Sequence, residues 1–367
     1  MSPTKEHTLT PVHIPFRHQM GGHCGSGALR DLIEWAGLGW DGPPTEGLVF
    51  ALSGSLSYSY HRSADLFPPV YMVGRGYGLE ENLLKRLGAE YSVCSTEDPE
   101  LGWKWVKDQI DRGVPVMVWA DIGELPYLRA KLSMSRHDIV ITGYDDEAQV
   151  AFVVDNDRAT TQVVPYENLR RARASTGFPM PTRHTTYLVE WPSRIPDLAT
   201  IAGPALMQSA DGLAGVALTD DNVSPAHSSV SGHGLAGVAT FAADLSLWTE
   251  LLDDSALEAA LFAVGALIEK AGTGGGLFRK LQADGCEAIA SALGDDRVAD
   301  AAAAARTAAQ TWTAVAKEAY NPSNSLRARA SSAAAVAAEL PEVEARLVHA
   351  LRSAASKLTR QGTAVTP

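Results

Sequence analysis

The feature that most constrains the fold is a change in sequence character partway along the chain. From Thr10 to about Trp191, helical stretches are mixed with short β-rich runs, among them VPVMVWA, DIVITGYD, AFVVD and TTYLVEW. From Gly234 onward nearly every segment is helix-prone, with apolar residues three and four positions apart. The pattern predicts an α+β domain followed by an all-α domain of four or five packed helices.

Changes in composition along the chain predict four segments. Residues 1–193 form the α+β domain, and residues 194–233, rich in Gly, Ser and Pro, form a linker with room for one short helix. Residues 234–358 form the helical bundle, and residues 359–367 form a flexible tail. A chain of 367 residues exceeds the usual length of one domain, which agrees with two domains.

Composition excludes several function classes. A net charge of -12 argues against general nucleic-acid binding, because neutralising phosphates needs a surplus of Lys and Arg. No apolar stretch has the ~18 residues of a membrane span, and no export signal opens the chain, so we expect a cytoplasmic protein without membrane contact. The three cysteines are too scattered for disulfides or a zinc site, and we expect free thiols at Cys24, Cys94 and Cys286.

Cys24 lies among glycines in FRHQMGGHCGSG, residues 16–27, directly before a helical pattern that ends at Gly37. A thiol at a helix N-terminus has a lowered pKa, because the helix dipole and unpaired N–H groups favour the thiolate. The glycines, Gly25 included, would let a substrate carbonyl approach the backbone, where the N–H of Cys24 can face an oxyanion. Gln19 is a candidate to supplement this oxyanion hole. The alternative is a buried cysteine that packs like a small apolar residue.

A base and an acid meet in the hairpin predicted for residues 135–157, SRHDIVITGYDDEAQVAFVVDND. A turn centred on Asp146 puts His137 opposite Asp155 on one face of the sheet. There the carboxylate would fix the imidazole tautomer and stabilise the protonated ring after it takes the thiol proton. Cys24, His137 and Asp155 are therefore the predicted nucleophile, base and acid.

Two alternatives apply to this hairpin. A turn shifted by one residue would pair His137 with Asn156 or Val154, and Asp157 shares the face of Asp155, so either aspartate can be the acid. A histidine at a strand end is also commonly an ordinary surface or core residue. The chain order Cys, His, Asp is papain-like, with a helix that carries the Cys packed against a sheet that carries the other two.

Other segments give weaker signals. In ALSGSLSYSY, residues 51–60, apolar and small polar residues alternate, which predicts a strand whose serine face, with Ser55 and Ser57, lines a narrow pocket or is simply half-buried. A basic cluster at positions 170, 171 and 173 is either a solvated face or a docking patch for an acidic carrier protein. His18 and His23 lack further ligands with suitable spacing, so we expect no metal.

These segments resemble the butirosin biosynthesis protein H family. The likeness rests on HCGSGALRDLIEWAG, EGLVFALSGSLSYSY, VGRG, RHDIVITGYD and VVDND in the first domain. Residues 234–248 and 274–293 are similar to the domain of unknown function that usually follows.

The resemblance implies a papain-like acyltransferase of specialised metabolism without a bound cofactor. An acyl group would pass from the phosphopantetheine thioester of an acyl carrier protein to Cys24, with His137 as base and Asp155 as orienting acid. It would then be delivered to a small-molecule amine, forming an amide. Two other functions fit the same residues: a hydrolase with water as acceptor, and a catalytically silent carrier-docking scaffold. The sequence leaves the oligomeric state open, homo-oligomers included.

Overall fold

In a computed structural model of the chain, the structure describes residues 11–130, 133–216 and 230–364. Over these residues the strands are β1 (Val12–His13), β2 (Leu56–Arg62), β3 (Val70–Arg75), β4 (Glu90–Cys94), β5 (Val116–Ala120), β6 (His137–Asp145), β7 (Val150–Val154), β8 (Gln162–Pro165), β9 (Thr186–Glu190) and β10 (Val230–His233). The helices are α1 (Cys24–Trp35), α2 (Glu46–Ser53), α3 (Leu79–Leu87), α4 (Pro99–Asp111), α5 (Tyr166–Arg173), α6 (Leu198–Ala214), α7 (Gly234–Leu251), α8 (Asp254–Glu269), α9 (Arg279–Leu293), α10 (Asp296–Tyr320), α11 (Leu326–Ala337) and α12 (Leu340–Ala364).

The chain is a mixed α/β protein, with a large sheet in its N-terminal part and packed helices in its C-terminal part, as the sequence pattern predicts. Contacts divide it into two units. The first takes its described residues from Met1–Leu38 and Ala89–Ser193, and the second from Gly39–Gly88 and Arg194–Pro367. None of the described helices has the length and apolarity required to cross a bilayer.

The first unit is built on an antiparallel sheet in the order β4-β9-β5-β6-β7-β8, with β1 paired to the end of β6. β-branched residues dominate its central strands, which suits a surface buried on both faces. Its main apolar cluster combines Ile139 and Ile141 of β6 with Val118 of β5, Ile110 of α4 and Leu169 of α5. α1 packs against β6, so a helix and a central strand meet in this unit.

A β-bulge sets the register of the β6–β7 hairpin. Near the turn, Gly143 pairs with Phe152. On the other side of the bulge, which lies at Thr142, the pairing is between Val140 and Val154. If this register is extended, Asp155 lies opposite Ile139. The position opposite His137 is two residues further along the chain than Asp155. The directly opposed register predicted from the sequence is therefore wrong, because the turn lies later than Asp146 and the bulge adds a residue to β6.

The second unit combines a three-stranded sheet, in the order β10-β2-β3, with nine helices among its described residues. Tyr58 of β2 lies 5.3 Å from the ring of Trp312, which also stacks on Phe241 at 5.6 Å. A fully buried ion pair lies beside these rings: Arg279 Nε donates to Glu344 Oε1 at 2.7 Å, and Trp312 Nε1 donates to the same oxygen at 2.5 Å.

The structural division differs from the sequence pattern in three segments. Residues 39–88 cluster with the C-terminal helices, because β2 pairs with β10 and α2 packs on α9. The predicted linker contains the 17-residue α6, and its residues 217–229 lie outside the described part of the chain. α12 continues past residue 359, where a flexible tail was predicted. The helix packs tightly on α6 there, since a Cβ atom added to Gly203 of α6 would lie 3.0 Å from Thr359 Oγ1.

The buried ion pair gives a stability prediction with a matched control on the same helix. Glu344→Gln leaves the Arg279 guanidinium buried without its counter-charge, and we expect the free energy of unfolding to fall by about 3 kcal/mol. The control is Glu342, which is exposed, pairs with Arg346 and lies two residues before Glu344 on α12. Glu342→Gln should change the free energy of unfolding by less than about 0.5 kcal/mol. Urea denaturation of the two variants measures both values, and equal losses would show that the buried pair has no special weight.

Candidate active site

Cys24 is the first residue of α1, where the sequence pattern predicts a helix start. His23 caps this end, because its Nδ1 accepts a hydrogen bond from Ser26 N at 3.1 Å. The N–H groups of the first helical turn have no acceptor within the helix, so those of Cys24 and Gly25 lie at its positive end. Cys24 is 9% exposed, and the predicted stop follows at Ala36 and Gly37, which has a φ of 70°.

The sulfur of Cys24 lies between two side chains that are consecutive in β6. Its side chain forms a hydrogen bond with His137, and its Sγ lies 3.6 Å from Oδ2 of Asp138. His137 Nε2 lies 2.8 Å from Asp155 Oδ2, which leaves Nδ1 as the nitrogen that faces the thiol. Cys24, His137 and Asp155 therefore form one hydrogen-bonded chain, although more than a hundred residues separate its ends.

The contact between His137 and Asp155 is diagonal across the hairpin rather than directly opposed. In the register after the bulge, Asp155 lies opposite Ile139, which is on the same strand face as His137. Asp155 and His137 are therefore diagonal neighbours on one face, and long side chains in such positions can reach each other. Asp155 is 2% exposed, whereas Asp157 is exposed and contributes only its backbone N–H, which donates to Asp155 Oδ1 at 3.2 Å. Of the two aspartates that the sequence left open, Asp155 is the one that contacts the imidazole.

The charges of this pair stabilise each other. Burial alone would lower the pKa of His137, but the charge and hydrogen bond of Asp155, with a smaller contribution from Cys24, raise it well above its ordinary value. Burial would likewise raise the pKa of Asp155, yet His137, the hydroxyl of Tyr127 and the N–H of Asp157 lower it. The site thus stabilises an imidazolium beside a carboxylate, which is the state that the ring reaches when it takes a proton from the neighbouring thiol.

Tyr127 is a site residue that the sequence analysis missed. Its hydroxyl donates to Asp155 Oδ2 at 2.6 Å, so this oxygen accepts from both the phenol and the imidazole. Arg158 holds the tyrosine in place, since its guanidinium donates to Tyr127 O at 2.6 Å. Tyr127 lies in an irregular segment after β5, where neither strand nor helix spacing indicates the direction of a side chain.

A second buried network fixes the loop before Cys24. His18 Nδ1 lies 2.6 Å from Asp31 Oδ2 on α1, while its Nε2 bonds the carbonyl oxygens of Asp155 at 3.0 Å and Arg158 at 2.7 Å. With acceptors at both nitrogens the ring must donate twice, and although burial opposes it, these bonds raise the pKa of His18. Arg30 completes the network through a 2.8 Å bond from its Nε to Asp31 Oδ1.

Backbone contacts join the same two segments. Gly21 N donates to Asn156 O at 3.0 Å, and Asn156 Nδ2 donates to Gly21 O at 3.1 Å. The loop that leads into Cys24 is therefore tied to the residue that follows Asp155. No local pattern predicts this pairing, because it joins the N-terminal loop to the far end of the hairpin.

Other predicted site residues lie elsewhere. Gln19 is exposed, and its Nε2 donates to Glu34 Oε2 at 3.3 Å, so in this arrangement its amide does not supplement an oxyanion hole. Gly25 is buried in the first turn of α1, next to Cys24. Ser55 and Ser57 belong to the second unit, where Ser55 precedes β2 and Ser57 lies within it. Their place in an acyl pocket stays a prediction.

The arginine cluster on α5 consists of two exposed arginines and one buried one, and its use as a docking surface stays a prediction. Arg170 and Arg171 pair with Glu167, and Arg171 also bonds Glu124. Arg173 is buried and donates to His184 O at 2.9 Å and to Thr186 Oγ1 at 2.6 Å, and burial lowers its pKa to about 9. Within the described ranges, no group of three His, Cys, Asp or Glu side chains is arranged to hold a metal ion.

Comparison with known proteins finds two family models that match this chain. Residues 23–156 match the model described as Butirosin biosynthesis protein H, N-terminal. Residues 167–351 match the model described as Domain of unknown function (DUF4872). The first match begins one residue before Cys24 and ends one residue after Asp155, so it contains the whole hydrogen-bonded chain. No curated protein matches the sequence.

The charge coupling gives a pH prediction for His137. Asp155→Asn keeps the imidazole buried but removes the carboxylate charge, so the pKa of His137 should fall and the ring should lose its proton at a lower pH than in the wild-type protein. Asp157→Asn removes an equal charge two residues away and should leave the titration nearly unchanged. The imidazole nitrogen signals in an NMR titration measure both, and a shift caused by Asp157→Asn alone would contradict the assignment of the acid.

The second network gives a prediction on stability. The pKa of His18 is raised in the folded protein. Its contribution to the free energy of unfolding is therefore fully present below the unfolded-state pKa of ~6.5, and it is lost as the pH rises through the folded-state pKa. His18→Asn should therefore cost about 2 kcal/mol of unfolding free energy at pH 6 and less at alkaline pH. Denaturant titrations at several pH values test this, and a cost that does not change with pH would argue against a charged His18.

Proposed function

Because the chain belongs to the butirosin biosynthesis protein H-like family, we propose that it is a biosynthetic enzyme, a cysteine-dependent acyltransferase that forms amides. The observation that carries the proposal is the hydrogen-bonded chain from Cys24 through His137 to Asp155. The donor is a thioester on the phosphopantetheine arm of an acyl carrier protein, and the acceptor is a small-molecule amine. A papain-like fold agrees with a helix that carries the cysteine and packs against the strand that carries the histidine.

The first half of the reaction loads the enzyme. His137 takes the thiol proton through Nδ1, and the sulfur of Cys24 attacks the thioester carbonyl. The backbone N–H groups of Cys24 and Gly25, at the N-terminus of α1, stabilise the negative oxygen of the tetrahedral intermediate. When the carrier thiolate leaves, His137 returns the proton to it. Asp155 stays ionised and stabilises the imidazolium in between.

The second half releases the product. An amine attacks the carbonyl of the acyl-enzyme, His137 accepts a proton from the amine nitrogen, and the bond from carbon to Cys24 Sγ breaks. Exchange between thioesters is nearly isoenergetic and conversion of a thioester to an amide is downhill, so the cycle needs neither ATP nor a bound cofactor. Water in place of the amine would give a hydrolase with the same three residues.

The tight networks around the site support catalysis over a scaffold role. A structural cysteine needs neither a buried imidazole nor a carboxylate behind that imidazole, and both are costly to bury without a function. Tyr127 and the N–H of Asp157 add further donors to that carboxylate. Such preorganisation is typical of groups that must hold a proton in a fixed direction.

The covalent intermediate gives the direct test. Incubation with an acyl N-acetylcysteamine thioester should add one acyl mass to the intact protein, and the adduct should map to Cys24. Cys24→Ala should abolish the adduct, Cys94→Ala should retain it, and His137→Ala should slow its formation by about 10²–10⁴-fold. An adduct that persists in Cys24→Ala would refute the proposal.

The fate of the adduct separates transfer from hydrolysis. Addition of primary amines should discharge the acyl-enzyme to amides, detected by mass spectrometry, faster than water discharges it to the free acid. Free acid as the sole product across a range of amines would identify a hydrolase instead.

A further inference from the structure

Tyr127 contacts the carboxylate of Asp155 on the same oxygen that faces His137. Asp155 Oδ2 accepts a hydrogen bond from the phenol at 2.6 Å and lies 2.8 Å from His137 Nε2, while Oδ1 accepts from the N–H of Asp157 at 3.2 Å. No step of the proposed cycle uses the hydroxyl of Tyr127. Because it shares one oxygen with the imidazole, it acts directly on the charge that stabilises the ring.

The phenol is held in a fixed direction. Tyr127 is half-buried and packs against the main apolar cluster of the first unit. Arg158 contacts it twice, since its Nη2 donates to Tyr127 O at 2.6 Å and its guanidinium carbon lies 5.9 Å from the centre of the ring. Burial, with a further contribution from the charge of Asp155, raises the pKa of the hydroxyl, so the phenol keeps its proton at neutral pH. The hydroxyl is therefore a permanent donor to the carboxylate.

A buried carboxylate beside an imidazolium can take the proton that the two groups share. If the Nε2 proton of His137 moved to Asp155, the ring would become a neutral imidazole, whose remaining proton on Nδ1 is too weakly acidic to be given to a leaving thiolate. A hydrogen bond to the charged form of a carboxylate lowers its pKa, and the bond from Tyr127 does so for Asp155. The hydroxyl thus opposes the transfer of the shared proton.

Resting on the acyl transfer proposed above, we propose that Tyr127 is a positioning residue that acts through Asp155: its hydroxyl keeps the shared proton on Nε2 of His137, so that Nδ1 can protonate the leaving thiolate. In that step the bond from the acyl carbon to the carrier sulfur breaks, the electron pair stays on the sulfur, and the Nδ1 proton passes to it. The ring is left neutral, with its Nε2 proton still directed at Asp155.

The benefit of this proton depends on the leaving group. A thiol of lower pKa leaves faster as its thiolate, and the aryl thiols have lower pKa values than the alkyl thiols, to which phosphopantetheine belongs. Return of a proton therefore matters most when the donor is an alkyl thioester. The substrate class that the contact of Tyr127 with Asp155 suits is an alkyl thioester rather than an activated aryl one.

A comparison of two leaving groups gives the direct test. The S-phenyl and N-acetylcysteamine thioesters of one acid load the same acyl group but release an aryl and an alkyl thiol. Tyr127→Phe removes only the hydroxyl, and we expect loading from the N-acetylcysteamine thioester to fall about tenfold, as expected for one hydrogen bond to a charged group. Loading from the S-phenyl thioester should stay within about threefold of the wild-type rate, because an aryl thiolate leaves without a proton.

Tyr144→Phe is the matched control. Tyr144 lies in β6, and its hydroxyl donates to Asp111 Oδ1 at 2.6 Å, so the variant removes a bond of the same kind and length away from the site. It should load from both thioesters at the wild-type rate. Equal slowing of Tyr127→Phe with both thioesters would indicate a merely structural hydroxyl and overturn the proposal. Loading of Tyr127→Phe from both at the wild-type rate would overturn it as well.

The nitrogen NMR signal of His137 Nε2 gives a readout that needs no acyl donor. In the wild-type protein it should be that of a protonated nitrogen, and in Tyr127→Phe it should move toward that of an unprotonated one, because the proton lies closer to Asp155. This shift, without any acyl adduct on the wild-type protein, would refute acyl transfer and retain the role of Tyr127. An adduct without the shift would retain acyl transfer and refute that role. If Tyr127→Phe does not fold, the wild-type signal still decides, because an unprotonated Nε2 would overturn the proposal.

Discussion

The hydrogen bond between His137 Nε2 and Asp155 Oδ2 is the interaction on which the rest of the site depends. It fixes the ring so that Nδ1 faces Cys24, and its charge keeps the pKa of the imidazole high despite burial. The bond exists because of the bulge at Thr142. Without the bulge, the register near the turn would continue, Asp155 would lie opposite Val140, and His137 would lie on the other strand face. One extra residue in β6 therefore brings the imidazole of His137 and the carboxylate of Asp155 together.

The loop that leads into Cys24 is anchored to the same hairpin end. His18 joins Asp31 of α1 to the carbonyl oxygen of Asp155, and Gly21 pairs with Asn156. The start of the helix and the end of β7 are thus held together by buried polar contacts, which restrict the distance from sulfur to imidazole. Fixed positions of this kind lower the cost of orienting the reacting groups at the moment of reaction. A buried network of this density also explains why the segment before Cys24 is not a free loop.

Sequence reasoning found the parts of the site that depend on local signals. The start of α1 close to Cys24 follows from the apolar spacing of a helical pattern that ends at Gly37, and the hairpin around His137 follows from two β-rich runs. The register was out of reach because the bulge at Thr142 has no sequence signature. Tyr127 was missed for another reason: its contact with Asp155 depends on how an irregular segment packs against the sheet, which is not a local property. The same limit applies to the segment 39–88, which pairs with residues far along the chain.

The proposed chemistry requires that the imidazole of His137 removes the proton from the thiol of Cys24. The most direct measurement is the rate of alkylation of each cysteine by iodoacetamide at pH 7, read by peptide mass spectrometry. Although Cys24 is more buried than Cys94, we expect Cys24 to react at least about 100-fold faster, because a neighbouring base increases the reactivity of a thiol by this order. A rate at Cys24 equal to or below that at Cys94 would show that His137 does not activate the thiol.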